Sequence, residues 1–136
     1  MKFLEHMRMD YNGNGGTIIL ISSIFGFRTV PYAPAYQASK FAVNGFTKSL
    51  GHIANFETTK VRVVALCPGF TETALTLNLR DPELQKAMPQ DLVEFANTFP
   101  WQKIDDVGKA AVEVYAGAES GTVWLIEGGK PITQVL

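Results

Sequence analysis

A chain of 136 residues, 46% hydrophobic and 18% charged, has the length and composition of a single globular domain. Its net charge of -1 offers no electrostatic footprint for nucleic acid or an anionic membrane, and its one cysteine, Cys67, excludes an internal disulfide. The longest strongly apolar run, "TIILI" at 17–21, is far too short to cross a bilayer, and "MKFLEHMRMD" has no signal-peptide core, so the expected compartment is cytoplasmic.

Residues 3–9 are expected to form the last turns of an amphipathic helix, with Phe3, Leu4 and Met7 on one side. "DYNGNGG" at 10–16 is a turn cluster, and the β-branched run "TIILIS" at 17–22 reads as a strand buried on both faces. After a loop with two prolines, "GFRTVPYAP" at 26–34, the pattern predicts one long helix over 35–54. The small residues Ala38, Ala42, Gly45 and Ser49 line one side of it, where a sheet or a partner helix can approach closely. "VRVVALCPG" at 61–69 predicts a second buried strand stopped by Pro-Gly. In "DPELQKAM" an Asp followed by Pro and Glu marks a helix start capped by Asp81, and residues 71–100 otherwise read as short helices and loops. Asp105 is expected to cap a further helix, in which Val107, Ala110, Ala111 and Val114 form an apolar stripe. "GTVWLIEGG" at 121–129 predicts a third strand running into a Gly-Gly turn. Strands alternating with helices predict an α/β fold: three parallel strands with flanking helices, in one partial domain over 1–136. Three strands is few for such a sheet, so a further part is expected before residue 1.

Tyr36 and Lys40 in "YQASK" stand four residues apart on the long helix, hence on one face. Ser23 lies just past the first strand, and the loop between can bring strand end and helix start together. Taken singly, the serine reads as a turn or cap residue and the Tyr–Lys pair as a solvated helix face. In the order strand, serine, loop, Y-x-x-x-K helix, strand, Pro-Gly, they read as one catalytic set. A tyrosine is a poor base at neutral pH, and an ammonium close by favours the phenolate form. Tyr36 can then take a proton from an alcohol or return one to a carbonyl oxygen, while Ser23 holds that oxygen. Removing the alcohol proton is useful only if hydride leaves the carbon at the same time, which requires a nicotinamide cofactor.

The stretches "ISS" at 21–23, "YQASK" at 36–40, "VRVVALCPGFTET" at 61–73 and "GTVWLIEGG" at 121–129 resemble the short-chain dehydrogenase/reductase family. "GGTIILISSIFGF", "CPGFTETAL" and "TVWLIEGGK" carry a closer likeness to its insect alcohol dehydrogenase and 15-hydroxyprostaglandin dehydrogenase branch. The resemblance covers essentially the whole chain and corresponds to the C-terminal half of a family member. It implies the C-terminal half of a Rossmann-type doubly wound fold. It also implies an oxidoreductase that moves hydride between a secondary alcohol or its ketone and NAD, with NADP as the alternative cofactor. By the same resemblance Ser23 orients the substrate, Tyr36 is the acid/base, and Lys40 assists Tyr36 and binds the nicotinamide ribose. Cofactor contacts are implied for Tyr36, Lys40, Pro68, Gly69, Phe70, Thr71 and Thr73, the segment from Phe70 to Thr73 meeting the carboxamide and a phosphate oxygen. The implied partners are a small-molecule or lipid-like alcohol and, in a full-length form, further copies in a homo-oligomer.

No glycine-rich turn follows a strand; "GNGG" at 13–16 precedes one and reads as a loop. The residue that selects NAD or NADP, and the family's further catalytic asparagine, are expected upstream of Met1. The chain therefore reads as a catalytic half whose activity alone is in doubt. The alternative is a catalytically inactive truncated relative, or a module that docks on a full-length one. His6 and His52 have no ligand-spaced partners, so no metal site is expected, and Cys67 reads as a buried small hydrophobe. Phe95, Phe99 and Trp101, with Met88 and Leu92, either line an apolar substrate lid or cover the sheet. Ala33, three residues before Tyr36, offers no polar contact, which weighs against carrying over a prostaglandin substrate.

Overall fold

The computed structural model describes residues 2–136. Helix α1 (Lys2–Met7) runs through a 3-10 turn, Met9–Tyr11, into the glycine cluster. The Gly13 and Gly15 amides donate to the Arg8 and Met7 carbonyls, both at 2.7 Å, so the glycines close the helix end. A Cβ at Gly13 would lie 2.3 Å from the Met7 carbonyl carbon, which excludes a side chain there.

Strand β1 (Gly16–Ile21) pairs in parallel with β2 (Val61–Pro68), which pairs in parallel with β3 (Val123–Ile126). The sheet also has a fourth strand, β4 (Thr133–Gln134), antiparallel to β3, where three parallel strands were expected. Its two residues are exposed and too few to show alternation. Gly128 and Gly129 make the return, with φ of 62° and 66° in the left-handed region that favours glycine.

The central strand β2 is buried at Val61 and from Val63 to Cys67. Its alternation sends Val64 and Leu66 toward helix α6 (Ile104–Gly117), where they meet Ala110, Val114 and Ala118. Ala65 and Cys67 face the opposite layer. They are small enough for helix α2 (Pro34–Leu50) to bring Asn44 to the Cys67 thiol, at 3.6 Å. Arg62 donates to Thr17 Oγ1 and to the Ala118 and Tyr115 carbonyls, placing a cation at the C-terminus of α6, where the helix dipole favours it. No helix among the described residues is long and apolar enough to cross a membrane.

Two helix boundaries differ from expectation. The stretch 35–54 is broken into α2 and α3 (Ile53–Thr59), because His52 turns extended and its Nδ1 caps the second helix by accepting from the Ala54 amide. The last helix starts at Ile104 with Lys103 as its cap residue; Asp105 sits in the first turn, and Asp106 accepts from the Lys103 amide at 2.9 Å. Asp81 caps α4 (Pro82–Gln85) as its sequence indicates, accepting from the Glu83 and Leu84 amides, and α5 spans Gln90–Asn97. The small residues Ala38, Ala42, Gly45 and Ser49 face solvent; α2 presents the buried Asn44 and Thr47 to the sheet instead.

Two glycines give opposite expectations. At Gly51, between α2 and α3, a Cβ would lie 2.4 Å from the Gly121 nitrogen and 2.6 Å from the Val63 oxygen, all backbone. Gly51→Ala is expected to lower stability by about 1–3 kcal/mol, read from urea unfolding. At Gly45 nothing lies within 4 Å of such a Cβ, so Gly45→Ala is expected to raise stability by about 0.5–1 kcal/mol.

Candidate active site

Beyond Ile21 the chain leaves the sheet through two serines with different jobs. The Ser22 hydroxyl donates to the Lys40 carbonyl at 3.2 Å and is spent on the fold. Ser23 takes an extended backbone and caps the short 3-10 turn Ile24–Gly26, its Oγ accepting from the Phe25 amide at 3.2 Å. That leaves its O–H proton free to be donated. Ser23 is 6% exposed and opens onto a cavity at the carboxyl ends of β1 and β2.

Helix α2 starts with Pro34 in its first turn and no side-chain cap from Ala33. Gln37 ties its first turn to the preceding loop, accepting from the Val30 amide at 3.1 Å and donating to the Arg28 carbonyl at 3.4 Å. One helical turn separates Tyr36 from Lys40, and the Lys40 ammonium lies 5.6 Å from the centroid of the Tyr36 ring. Lys40 Nζ also donates to the Ile21 carbonyl at 3.0 Å. Tyr36 is 45% exposed. One turn further on, the Asn44 amide donates to the Gly26 carbonyl at 3.0 Å and accepts from Cys67. Burial pushes the Cys67 thiol up, so it stays a neutral, packed side chain.

The floor of the cavity is the segment after β2. The Gly69 amide donates to the Ile126 carbonyl at 2.8 Å, and Thr71 Oγ1 donates to the Gly69 carbonyl at 3.0 Å. Thr76 Oγ1 donates to the Thr71 carbonyl at 2.6 Å and accepts from the Thr73 amide at 3.0 Å. These bonds fold Gly69 to Thr76 into a tight wrap whose inner side lines the cavity.

The cavity holds about 550 Å³. Its lining includes Ser23, Tyr36, Lys40, Pro68, Gly69, Phe70, Thr71 and Thr73, every residue singled out from the sequence as catalytic or cofactor-binding. Phe25, Leu75, Thr76, Leu79, Ile104 and Val107 complete its apolar walls together with Ile21. Lys40 is the one charged side chain among the lining residues. Phe95, Phe99 and Trp101 are not among them. Phe95 and Phe99 pack on Phe25 at centroid distances of 6.1 and 5.8 Å, and Trp101 on Phe70 at 5.0 Å, so they buttress the wall from behind.

Sequence reasoning missed Gln37, Asn44 and Gln102, whose amides hold the site together, and the apolar wall from Leu75, Leu79, Ile104 and Val107. For Asn44 a signal was present, since it repeats the Tyr36–Lys40 spacing one turn on and so shares their helix face. No group of acidic, histidine or cysteine side chains able to hold a metal occurs among the described residues.

A family model described as short chain dehydrogenase matches residues 1–84. Alcohol dehydrogenase 2 of Ceratitis rosa is 36% identical over 126 residues, covering 89% of this chain and 47% of that enzyme. Human 15-hydroxyprostaglandin dehydrogenase [NAD(+)] is 40% identical over 80 residues, covering 59% of this chain and 30% of that enzyme. A gluconate 5-dehydrogenase of Burkholderia cenocepacia, solved in complex with NADP and tartrate, superposes with a TM-score of 0.64 at 26% identity, covering 85% of this chain and 44% of that one. The chain thus spans about half the length of the curated relatives it matches. With the parallel sheet, the serine at its carboxyl edge and the Tyr–Lys helix in place, and a family model matching through both, the chain belongs to the short chain dehydrogenase family.

Proposed function

We propose that this chain is the catalytic half of an oxidoreductase that interconverts a secondary alcohol and its ketone with NAD, or alternatively NADP. The observation that carries the reading is the single cavity shared by Ser23, Tyr36 and Lys40 and by the Pro68–Thr73 segment.

The residues fit the nicotinamide end of such a cofactor. Lys40 uses one N–H on the Ile21 carbonyl and keeps two for ribose hydroxyls. Gly69 and Thr71 bring backbone and hydroxyl groups to the cavity wall beside apolar Phe70. When bound, the cofactor supplies or accepts hydride. Ser23 donates its free O–H to the substrate oxygen and fixes its place. Tyr36 takes the proton from the alcohol oxygen or returns it to the carbonyl oxygen. Lys40, 5.6 Å from the tyrosine ring, stabilises negative charge on the phenol oxygen while the proton is away. Beyond these groups the wall is apolar and carries no acidic or guanidinium side chain, which suits a small or lipid-like alcohol without a charged group near the reacting carbon.

The rest of the dinucleotide is held by sequence outside these 136 residues, because no glycine-rich turn follows a strand within them. Its pyrophosphate needs such a turn at a helix N-terminus, and binding energy from that remote end holds the nicotinamide against the substrate. The enzyme acts in the cytoplasm, and its full-length form is a homo-oligomer that uses the exposed face of α2, where Phe41 and Phe46 flank the small residues.

Two experiments test this. The purified chain alone, titrated with NADH and followed by fluorescence, is expected to show no saturable binding at millimolar cofactor; joined behind the nucleotide-binding half of a relative, it is expected to bind and to produce NADH from secondary alcohols. Saturable binding by the chain alone would overturn the assignment of the pyrophosphate site to sequence outside it. In the joined protein, Tyr36→Phe is expected to lower kcat by about 10²-fold or more. Lys40→Met is expected to weaken cofactor binding and turnover together. Near-normal turnover in Tyr36→Phe would refute the proton-transfer role.

A further inference from the structure

Gln102 is 3% exposed, lies outside the cavity lining, and makes five hydrogen bonds to three separate segments. Its backbone amide donates to the Phe70 carbonyl at 3.0 Å, and its carbonyl accepts from the Glu72 amide at 2.9 Å. Its side-chain Nε2 donates to Thr71 Oγ1 at 3.2 Å and to the Ile126 carbonyl at 3.1 Å. Its Oε1 accepts from the Gly129 amide at 3.3 Å. The partners fix the orientation of the amide: two acceptors face Nε2 and a donor faces Oε1, so a flipped amide would set oxygen against oxygen at Ile126.

We propose that Gln102 is a positioning residue that holds the Gly69–Thr73 wall of the cavity in register with the end of β3 and the Gly128–Gly129 turn, so that this wall is preformed for the nicotinamide end of the cofactor. The proposal rests on the nicotinamide reading given above. Backbone bonds alone would hold the wall by the Gly69 amide on Ile126 and by a two-residue bridge, Thr71 to Gln102, at the margin of the sheet. The side chain adds a second link to β3, on the same Ile126 carbonyl that anchors Gly69, and a link to the Gly128–Gly129 turn. It further sets the polarity of Thr71. The Thr71 proton goes to the Gly69 carbonyl and one lone pair takes the Gln102 amide, so Thr71 presents a single remaining acceptor to a ligand. Gln102 touches no reacting atom; it acts through Thr71 and the backbone. Loss of the amide leaves the Gly129 N–H and the half-buried Thr71 oxygen each short of a partner, a cost that falls on the wall rather than on Ser23, Tyr36 or Lys40.

The test uses Gln102→Met, which keeps length and bulk while removing the amide. In the full-length protein that carries this chain, the Kd for NADH is expected to rise on the order of tenfold. At saturating cofactor, kcat is expected to stay within about threefold of the parent, because the proton-transfer groups are untouched. In the 136-residue chain without cofactor, amide hydrogen exchange at Gly129 and Glu72 is expected to accelerate in the variant. An unchanged Kd, or a fall in kcat with Kd unchanged, overturns the proposal. A parent protein that neither binds NADH nor oxidises alcohols overturns the nicotinamide reading and this proposal with it, while exchange still reports whether the clasp exists. If Gln102→Met does not fold, exchange in the unsubstituted chain decides: protected Gly129 and Glu72 amides support the clasp, and exchange at the rate of an open loop overturns it.

Discussion

The site depends on holding two pieces of chain together, the segment leaving β1 and the first three turns of α2. They are consecutive in sequence but joined by a loop that does not by itself specify how they meet. Four side chains specify it. Lys40 reaches the Ile21 carbonyl, Ser22 the Lys40 carbonyl, Asn44 the Gly26 carbonyl, and Gln37 both Val30 and Arg28. Each bond runs from a side chain to backbone, so it fixes main-chain positions rather than other mobile side chains. The space between the two segments is closed as a result. A Cβ at Gly26 would lie 2.5 Å from Asn44 Nδ2 and 2.7 Å from Ser22 Oγ, so only glycine lets the pieces approach this far. Ser23 lies between two of these anchors, Ser22 and Gly26, and its hydroxyl is thereby set against the helix that carries Tyr36 and Lys40.

The parts legible in the sequence are those with a periodic or local signal. β2 could be read because a buried parallel strand shows as a continuous apolar run, and Asp81 because its cap chemistry is complete within three residues. Tyr36 and Lys40 could be paired because helix geometry alone sets their relation. β4 was not legible, since two exposed residues carry no pattern and their pairing is created by the return at Gly128–Gly129. The break at Gly51 was hidden for a related reason. It follows from the approach of Gly121, seventy residues on, and from a histidine acting as a cap, a role that its residue type does not announce. Gln102 was the least visible of all, because each of its partners is brought to it by the sheet.

The aromatic residues show how one composition serves two ends. Phe25 and Phe70 face the cavity, while Phe95, Phe99 and Trp101 pack behind them in edge-to-face, stacked and tilted contacts. The apolar character of the cavity wall and the anchoring of α5 to the rest of the fold thus come from one cluster. Trp101 satisfies its indole N–H on the Ala96 carbonyl at 3.2 Å, so the cluster buries no unpaired donor. Widening the cavity by trimming Phe25 or Phe70 would remove partners from the rings behind, which couples any change in cavity size to stability.

Lys40 joins the edge of the sheet to the cavity. The Gly16 and Ser22 amides of the β1 segment donate toward the β2 side, to Lys60 and Leu66, so in a parallel pair the backbone groups of Thr17, Ile19 and Ile21 turn to the outer edge. The Ile21 carbonyl on that edge is the one that Lys40 occupies. The ammonium suits this double duty better than a guanidinium would. It is compact, its three N–H groups splay rather than lie in one plane, and one can satisfy the carbonyl while the others point into the cavity. A planar fork of the same reach would have to choose between the edge and the tyrosine ring. The lysine is therefore held by the strand whose end carries Ser23, and the placing of the serine against the Tyr–Lys helix is maintained by one of the cavity-lining side chains itself.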